Sequence, residues 1–219
     1  MSTAWPPACA ARWAPEAGAA RVLKRLFDLV GALAGLALLL VPGLLVALWI
    51  RLDSPGPVFF RQERVGRHGR PFRIHKFRTM RVDAERLGGQ LTVGRDPRIT
   101  RVGAWLRDRR LDELPQLIDV LQGTMSLVGP RPEVPRYVTL YPADLRERVL
   151  SVRPGITDPA SLAFRGEAEQ LARAADPERE YVEVILPAKL ALAADYAARA
   201  SLWTDLGVLV RSLQVLLNR

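Results

Sequence analysis

The 219-residue sequence predicts an α+β fold that is mostly helical, with a short β-hairpin and an N-terminal re-entrant membrane helix bent at a proline. Three observations carry that expectation. Leu29 to Ile50 is an apolar run without a charge. Val58-Phe59-Phe60 and Phe72-Arg73-Ile74 flank a Gly66-Arg67-His68-Gly69 loop, the pattern of a hairpin. Most of the remainder reads as helices punctuated by proline and glycine.

The apolar run comes first. As a straight helix it would measure roughly 33 Å, against a bilayer core of about 30 Å. Basic residues flank both ends: Arg21, Lys24 and Arg25 before it, and Arg51, Arg61, Arg64, Arg67 and Arg70 after it. Positive charge normally marks the cytoplasmic side. Pro42 has no amide hydrogen and crowds the carbonyl of Leu38, so it predicts a break or bend in the membrane helix. A bent helix that dips into the bilayer and returns would place both flanks on one face; a span that tolerates its proline is the other topology. A cleaved signal peptide fits poorly, because the run is too long and no small-residue cleavage site follows. Residues 1–20, rich in Ala and Pro, read as a disordered tail. Residues 21–51 then form the membrane-inserted helix, and residues 52–219 a cytosolic domain ending in helices.

Charge narrows the function classes. The chain holds 32 Lys and Arg against 23 Asp and Glu, a formal charge of +9, with a pI near 10.7. Such an excess favours an anionic partner: nucleic acid, a phosphorylated substrate or an acidic membrane leaflet. Aromatics are only 7% of residues and do not alternate with Lys and Arg as stacking platforms would, which argues against nucleic acid. Cys9 is the only cysteine, so no intrachain disulfide or cysteine zinc site can form. His68 and His75 are too few for a histidine-rich metal centre. Walker A, G-x-G-x-x-G, H-E-x-x-H and G-x-S-x-G patterns are absent, as is any pair of aspartates at i and i+2.

What remains is a pair of acids among arginines. Leu114, Leu117, Ile118 and Leu121 recur on one helical face, Pro115 suits a first turn, and Gly123 suits a stop. The helix is therefore expected to start near Asp112, with Asp112 and Glu113 at its positive end and their pKa values pulled down. Two readings are open there: ordinary helix-start acids, or an anion kept charged beside Arg107, Arg109 and Arg110. Farther on, prolines on both sides of Arg131 hold a guanidinium on a stiff loop, and Gly129 permits close approach; such a fork suits a phosphate. Arg153 stands beside Pro154-Gly155, with Arg165 beyond. Residues 83–95, with Gly88, Gly89 and Gly94, read as a surface loop, and Thr100 to Leu106 as a short helix. Near the end, Leu202, Leu206, Leu209, Leu213 and Leu216 form a stripe that suits core packing rather than a membrane surface. Carboxylates can be nucleophiles toward phosphorus, with cations holding the phosphates.

On four fragments the sequence resembles the bacterial sugar transferases, monotopic phosphoglycosyl transferases that start glycan assembly on polyprenyl phosphate. They are KRLFDLVGALAGL, PVFFRQERVGRHGRPFRIHKFRTM, DPRITRVGAWLRDRRLDELPQLIDVLQGTMSLVGPRP and VRPGIT, in the family's order from Lys24 to Thr157. The resemblance implies a transferase of the cytosolic face of the bacterial inner membrane. It implies a two-step reaction with Mg²⁺, in which Asp112 attacks the β-phosphorus of a UDP-sugar and expels UMP. Polyprenyl (undecaprenyl) phosphate then takes the phosphosugar. Glu113 matches the second acid, implied to help Asp112 hold the metal or manage protons. Lys76, Arg78, Arg107, Arg131 and Arg165 match basic residues implied for the phosphates or nucleotide. Membrane lipids are implied partners, and a homodimer is left open. Many members carry Ser-Pro where this chain has Val41-Pro42, and the DPASLAFRGE segment departs from the common pattern, which leaves the sugar open. The reading of a different class is a membrane-tethered basic binding or scaffold module without catalysis.

Overall fold

Uninterrupted apolar sequence gives one long helix, α1 (Ala19–Asp53), of 35 residues. In this computed structural model residues 18–87, 91–94 and 96–218 are described, so nearly all of the expected tail lies outside the described residues, as do Gly88 and Gly89. Helical structure continues through Pro42, which therefore does not end the helix. The proline leaves the Leu38 carbonyl without its usual donor, a change that permits bending without unwinding.

The hairpin follows as β1 (Phe59–Val65) and β2 (Pro71–Phe77), antiparallel with Phe59 opposite Phe77 and Val65 opposite Pro71. Then come α2 (Ala84–Leu87), α3 (Arg101–Asp108), a 3₁₀ turn at Leu111–Glu113 and α4 (Gln116–Gln122). Thr100 caps α3 by accepting a hydrogen bond from the Gly103 amide at 2.9 Å. Strand β3 (Ser126–Val128) pairs in parallel with β4 (Gly155–Thr157), and α5 (Pro135–Val138) and α6 (Ala143–Val149) lie between them in sequence. Short helices α7 (Pro159–Ala163), α8 (Glu167–Arg173) and α9 (Pro177–Glu180) lead to α10 (Leu186–Arg199) and α11 (Leu202–Leu217). The α+β, mostly helical class read from the sequence is the observed one.

One face of α1 is packed on the domain along most of its length. Ala32, Leu36 and Leu39 join Ile74, Leu117, Val120 and Met125; farther along, Val46 and Ile50 join Phe77, Val102 and Leu106. Polar bonds fasten both ends. Arg25 donates to the carbonyls of Val120 and Leu121 at 2.8 and 3.1 Å, and Asp28 accepts from the Leu127 amide at 3.1 Å. At the other end Asp53 accepts from the Val102 amide at 3.2 Å. The opposite face exposes Leu26, Val30, Leu33, Leu40, Leu44 and Leu48.

Gly31 and Gly35 form a G-x-x-x-G pair, which in an apolar helix suggests helix dimerisation. Here the domain fills it. A Cβ at Gly31 would lie 2.6 Å from Leu127 Cδ1, and one at Gly35 3.0 Å from Leu117 Cδ1. The close approach brings α4 and β3, and the turn ahead of α4, against the membrane helix.

The C-terminal stripe divides between two surroundings. Val208 and Leu209 of α11 pack with Val128 and Tyr196, and Asp205 accepts a 2.6 Å hydrogen bond from the Tyr196 hydroxyl. Trp203, Leu206, Val210 and Leu213 are exposed, so core packing accounts for only part of that helix.

Candidate active site

Four segments converge on the acid pair. Strand β2 supplies Lys76 because its neighbour His75 is pinned to α4. The His75 amide donates to Asp119 Oδ2 at 2.8 Å, and His75 Nδ1 lies 2.7 Å from Asp119 Oδ1. Between α3 and the 3₁₀ turn, Arg110 adopts a left-handed conformation with φ 54°, unusual for a residue with a Cβ. That reversal redirects the chain so that Asp112 and Glu113 turn inward, 9% and 8% exposed.

The two acids have unlike surroundings. Glu113 Oε1 accepts from Lys76 Nζ at 2.7 Å and from Arg131 Nη2, and Oε2 accepts from Arg131 Nη1 at 2.9 Å. Burial alone would raise its pKa, but Arg131 and Lys76 together hold it well below the usual carboxylate range. Asp112 accepts no hydrogen bond among the described residues. Burial and the neighbouring Glu113 push its pKa up, against the opposing pull of Lys76, Arg107 and Arg131. The lowered pKa read from the sequence therefore holds for Glu113 and fails for Asp112. Nor is either acid a helix cap: α4 has no side-chain cap at its start, where Pro115 stands.

Arg131 is fixed from its backbone outward. Its amide donates to Asp158 Oδ2 at 3.3 Å, the Gly155 amide donates to the Pro130 carbonyl at 3.0 Å, and Arg64 donates to the Pro132 carbonyl at 3.0 Å. At Gly129 a Cβ would lie 2.3 Å from the Arg153 carbonyl oxygen, so only glycine lets β3 and β4 close there. Arg107 is held by two threonines: Nε donates to Thr79 Oγ1 at 2.9 Å and Nη1 to Thr92 Oγ1 at 3.1 Å. Its charge acts on Asp112 through space.

Two residues named from the sequence stand apart. Arg78 donates to the carbonyls of Ile50, Ser54 and Pro55, so it fastens the C-terminal end of α1 instead of facing the acids. Its guanidinium is spent on neutral backbone oxygens at and just beyond the end of α1. Arg165 is exposed between α7 and α8 and forms no ion pair among the described residues. Other contributors went unnamed: Thr79 and Thr92 as the holders of Arg107, Asp158 as the holder of the Arg131 loop, and the His75–Asp119 pair. Thr79 sits in the quoted HKFRTM fragment, but its partner is 28 residues away and no local pattern announces it.

No group of three or more His, Cys, Asp or Glu is placed to hold a metal among the described residues. The donor set does fit Mg²⁺ of the kind bound by one or two carboxylates and completed by substrate phosphates and water. Asp112 has unengaged oxygens, while each oxygen of Glu113 already accepts at least one hydrogen bond.

Asp112 is thus a buried carboxylate that accepts no hydrogen bond among the described residues, with Lys76, Arg107 and Arg131 close enough to act on its charge. The chain belongs to the bacterial sugar transferase family, whose model matches residues 19–219. It is 45% identical over 165 residues to the UDP-glucose:undecaprenyl-phosphate glucose-1-phosphate transferase of Escherichia coli, covering 73% of this chain and 35% of that protein. The Caulobacter vibrioides protein of the same description is 39% identical over 198 residues, 89% of this chain and 70% of that protein. An exopolysaccharide production protein of Rhizobium leguminosarum is 45% identical over 163 residues, 70% of this chain and 80% of its own length. Against several relatives the chain spans less than half the length, as with 44% of an Aeromonas hydrophila N-acetylgalactosaminephosphotransferase.

Two predictions follow from the geometry. Replacing Arg78 with Met should lower unfolding stability by at least about 1.5–3 kcal/mol, the worth of one charge-assisted hydrogen bond. Donor KM should stay at the wild-type value, and a raised KM with unchanged melting would return Arg78 to the binding site. The second concerns pH. A raised Asp112 pKa means its ionised form is lost at higher pH than for an ordinary aspartate of about 3.9. The acid limb of the pH–rate profile should lie above that value. In the folded state the charged Asp112 is disfavoured, so Asp112→Asn should raise the melting temperature at neutral pH, with scanning calorimetry as the check.

Proposed function

We propose that the chain moves a sugar 1-phosphate from a UDP-sugar to polyprenyl (undecaprenyl) phosphate through an ester on Asp112. The product would be the lipid-linked first sugar of a polysaccharide or glycan. The observation that carries this reading is the division of labour between adjacent acids: Glu113 is bonded to two cations, and Asp112 is left unbonded among three. The relatives' names support the substrate classes. Names citing glucose and N-acetylgalactosamine both occur, so the proposal extends to a UDP-sugar and not to one sugar.

In the first step an Asp112 carboxylate oxygen attacks the β-phosphorus, the bond to the bridging oxygen breaks, and UMP departs with that oxygen. In the second, a phosphate oxygen of the acceptor attacks the same phosphorus and Asp112 leaves as a free carboxylate. Lys76 and Arg131 bind the diphosphate while Glu113 keeps them in place, and Arg107, oriented by Thr79 and Thr92, offsets charge on the other side. Mg²⁺ held by Asp112, with Glu113 beside it, would neutralise diphosphate charge when bound.

The membrane reading rests on α1. At about 1.5 Å per residue its 35 residues exceed a bilayer core of about 30 Å, yet the domain grips both Arg25 and Asp53. A domain fastened at both ends cannot lie on one side of a straight span. The exposed leucine face entering the cytosolic leaflet, with both flanks on the cytosolic side, meets both constraints.

A stoichiometric burst of UMP should appear when the protein meets its matching UDP-sugar without lipid acceptor, and mass spectrometry should find the phosphosugar adduct on Asp112. Asp112→Asn should show neither; a burst from that variant removes Asp112 from the chemistry, and no burst with any donor favours a binding module. For topology, a membrane-impermeant maleimide should label Cys9 only after spheroplasts are lysed. Labelling of intact spheroplasts would establish a span.

A further inference from the structure

A second cationic cluster lies at the far end of α4 from the acids. From the 3₁₀ turn to Gly123 is ten residues, about 15 Å of helical rise. At Gly123 two guanidiniums meet: Arg153 Nε donates to the Gly123 carbonyl at 2.9 Å, and a Cβ on that glycine would lie 3.4 Å from Arg25 Nη2. Arg67, from the hairpin loop, donates its Nε to the carbonyl of Ser151 at 2.9 Å, two residues before Arg153. All three arginines are half-buried, and the partners they bond are neutral carbonyls. Arg67 and Arg153 commit only Nε to these bonds, which leaves both terminal nitrogens of each for a ligand.

No carboxylate among the described residues forms an ion pair with the cluster, and only Asp28 acts on it, through Arg25. The neighbouring acid, Asp28, is taken by Lys24, Ser126 and the Leu127 amide. Burial, then Arg153 and Arg21, lower the Arg67 pKa, as expected where like charges crowd. Half-buried guanidiniums collected without an anion form a site that an anion would stabilise, and their forked donors match phosphate oxygens.

The position selects the source of the phosphate. Arg21 and Arg25 alternate with the exposed Val22, Leu23 and Leu26 in the first turns of α1, where the apolar face begins. We propose that Arg25, Arg67 and Arg153 bind the phosphate of an anionic phospholipid headgroup, separate from the active site. This rests on the membrane reading of α1.

The test starts with flotation on phosphatidylcholine vesicles. A chain that does not float overturns the membrane reading and this site with it. In neutral detergent, titration with short-chain phosphatidylglycerol should raise the melting temperature, and phosphatidylcholine should not. In R67Q/R153Q the half-saturating concentration should rise about 25-fold, a factor of about five for each charge. R67Q alone should give about fivefold, which keeps the test decisive if the double variant fails to fold. R179Q/R199Q, which removes two exposed arginines elsewhere, should titrate as wild type; an equal weakening there would reduce the effect to net charge. An unchanged response in R67Q overturns the site. Inorganic phosphate giving the same shift at the same concentration would overturn the lipid assignment in favour of a soluble phosphate.

Discussion

The Glu113 carboxylate, buried between Lys76 and Arg131, is the interaction on which the site depends. It joins three segments distant in sequence: strand β2, the 3₁₀ turn and the loop after β3. A buried carboxylate without cations would be protonated or expelled, and two buried cations without it would repel each other. Together they stand, and the arrangement still carries an excess of positive charge once Arg107 is counted against Asp112. The site is therefore organised in advance, with positive charge left over for the diphosphate of the proposed donor. Such preorganisation avoids rearranging dipoles during the reaction.

The clamp is in turn positioned by the way the domain meets α1. Gly31 and Gly35 admit the side chains of Leu127 and Leu117, so β3 and α4 approach the membrane helix as closely as a missing Cβ permits. Asp119 on α4 then fixes His75, and with it Lys76. Arg78, two residues farther on, binds carbonyls at and just past the end of α1. The apolar helix and the acid pair are thus coupled through one short path of packed side chains and hydrogen bonds. The proposed acceptor, with one end in lipid and the other in water, would call for that kind of coupling.

Much of this was legible in the sequence because it was local. The apolar run, the hairpin around Gly66-Arg67-His68-Gly69, the acid pair and the Pro130-Arg131-Pro132 loop each carry their signal within a few residues. What escaped was set at long range. Arg78 and Lys76 stand two apart in one motif, and side-chain alternation along a strand would give them the same face. Yet β2 ends at Phe77, so Arg78 is already free to turn back toward α1. The pKa direction of Asp112 also escaped. A helix start and nearby arginines argue for a lowered value, but burial and the adjacent Glu113 outweigh them, and burial is not written in any local pattern.

Adjacency itself explains why two acids of one turn end in different roles. A 3₁₀ turn has about three residues per turn, so successive side chains diverge by about 120° and residues three apart eclipse. Acids spaced three apart would have competed for the same Lys76 and Arg131. Placed side by side, Glu113 bonds Lys76 and Arg131, and Asp112 accepts no hydrogen bond among the described residues. Glu113 takes the hydrogen bonds of Lys76 and Arg131, so in the proposed attack Asp112 would have no hydrogen bond to give up first. In the proposed first step the negative charge would leave the carboxylate and remain on the phosphoryl oxygens of the adduct. On that proposal, the burial and the neighbouring Glu113 that disfavour a charged Asp112 in the resting protein would favour the step that moves the charge off its carboxylate.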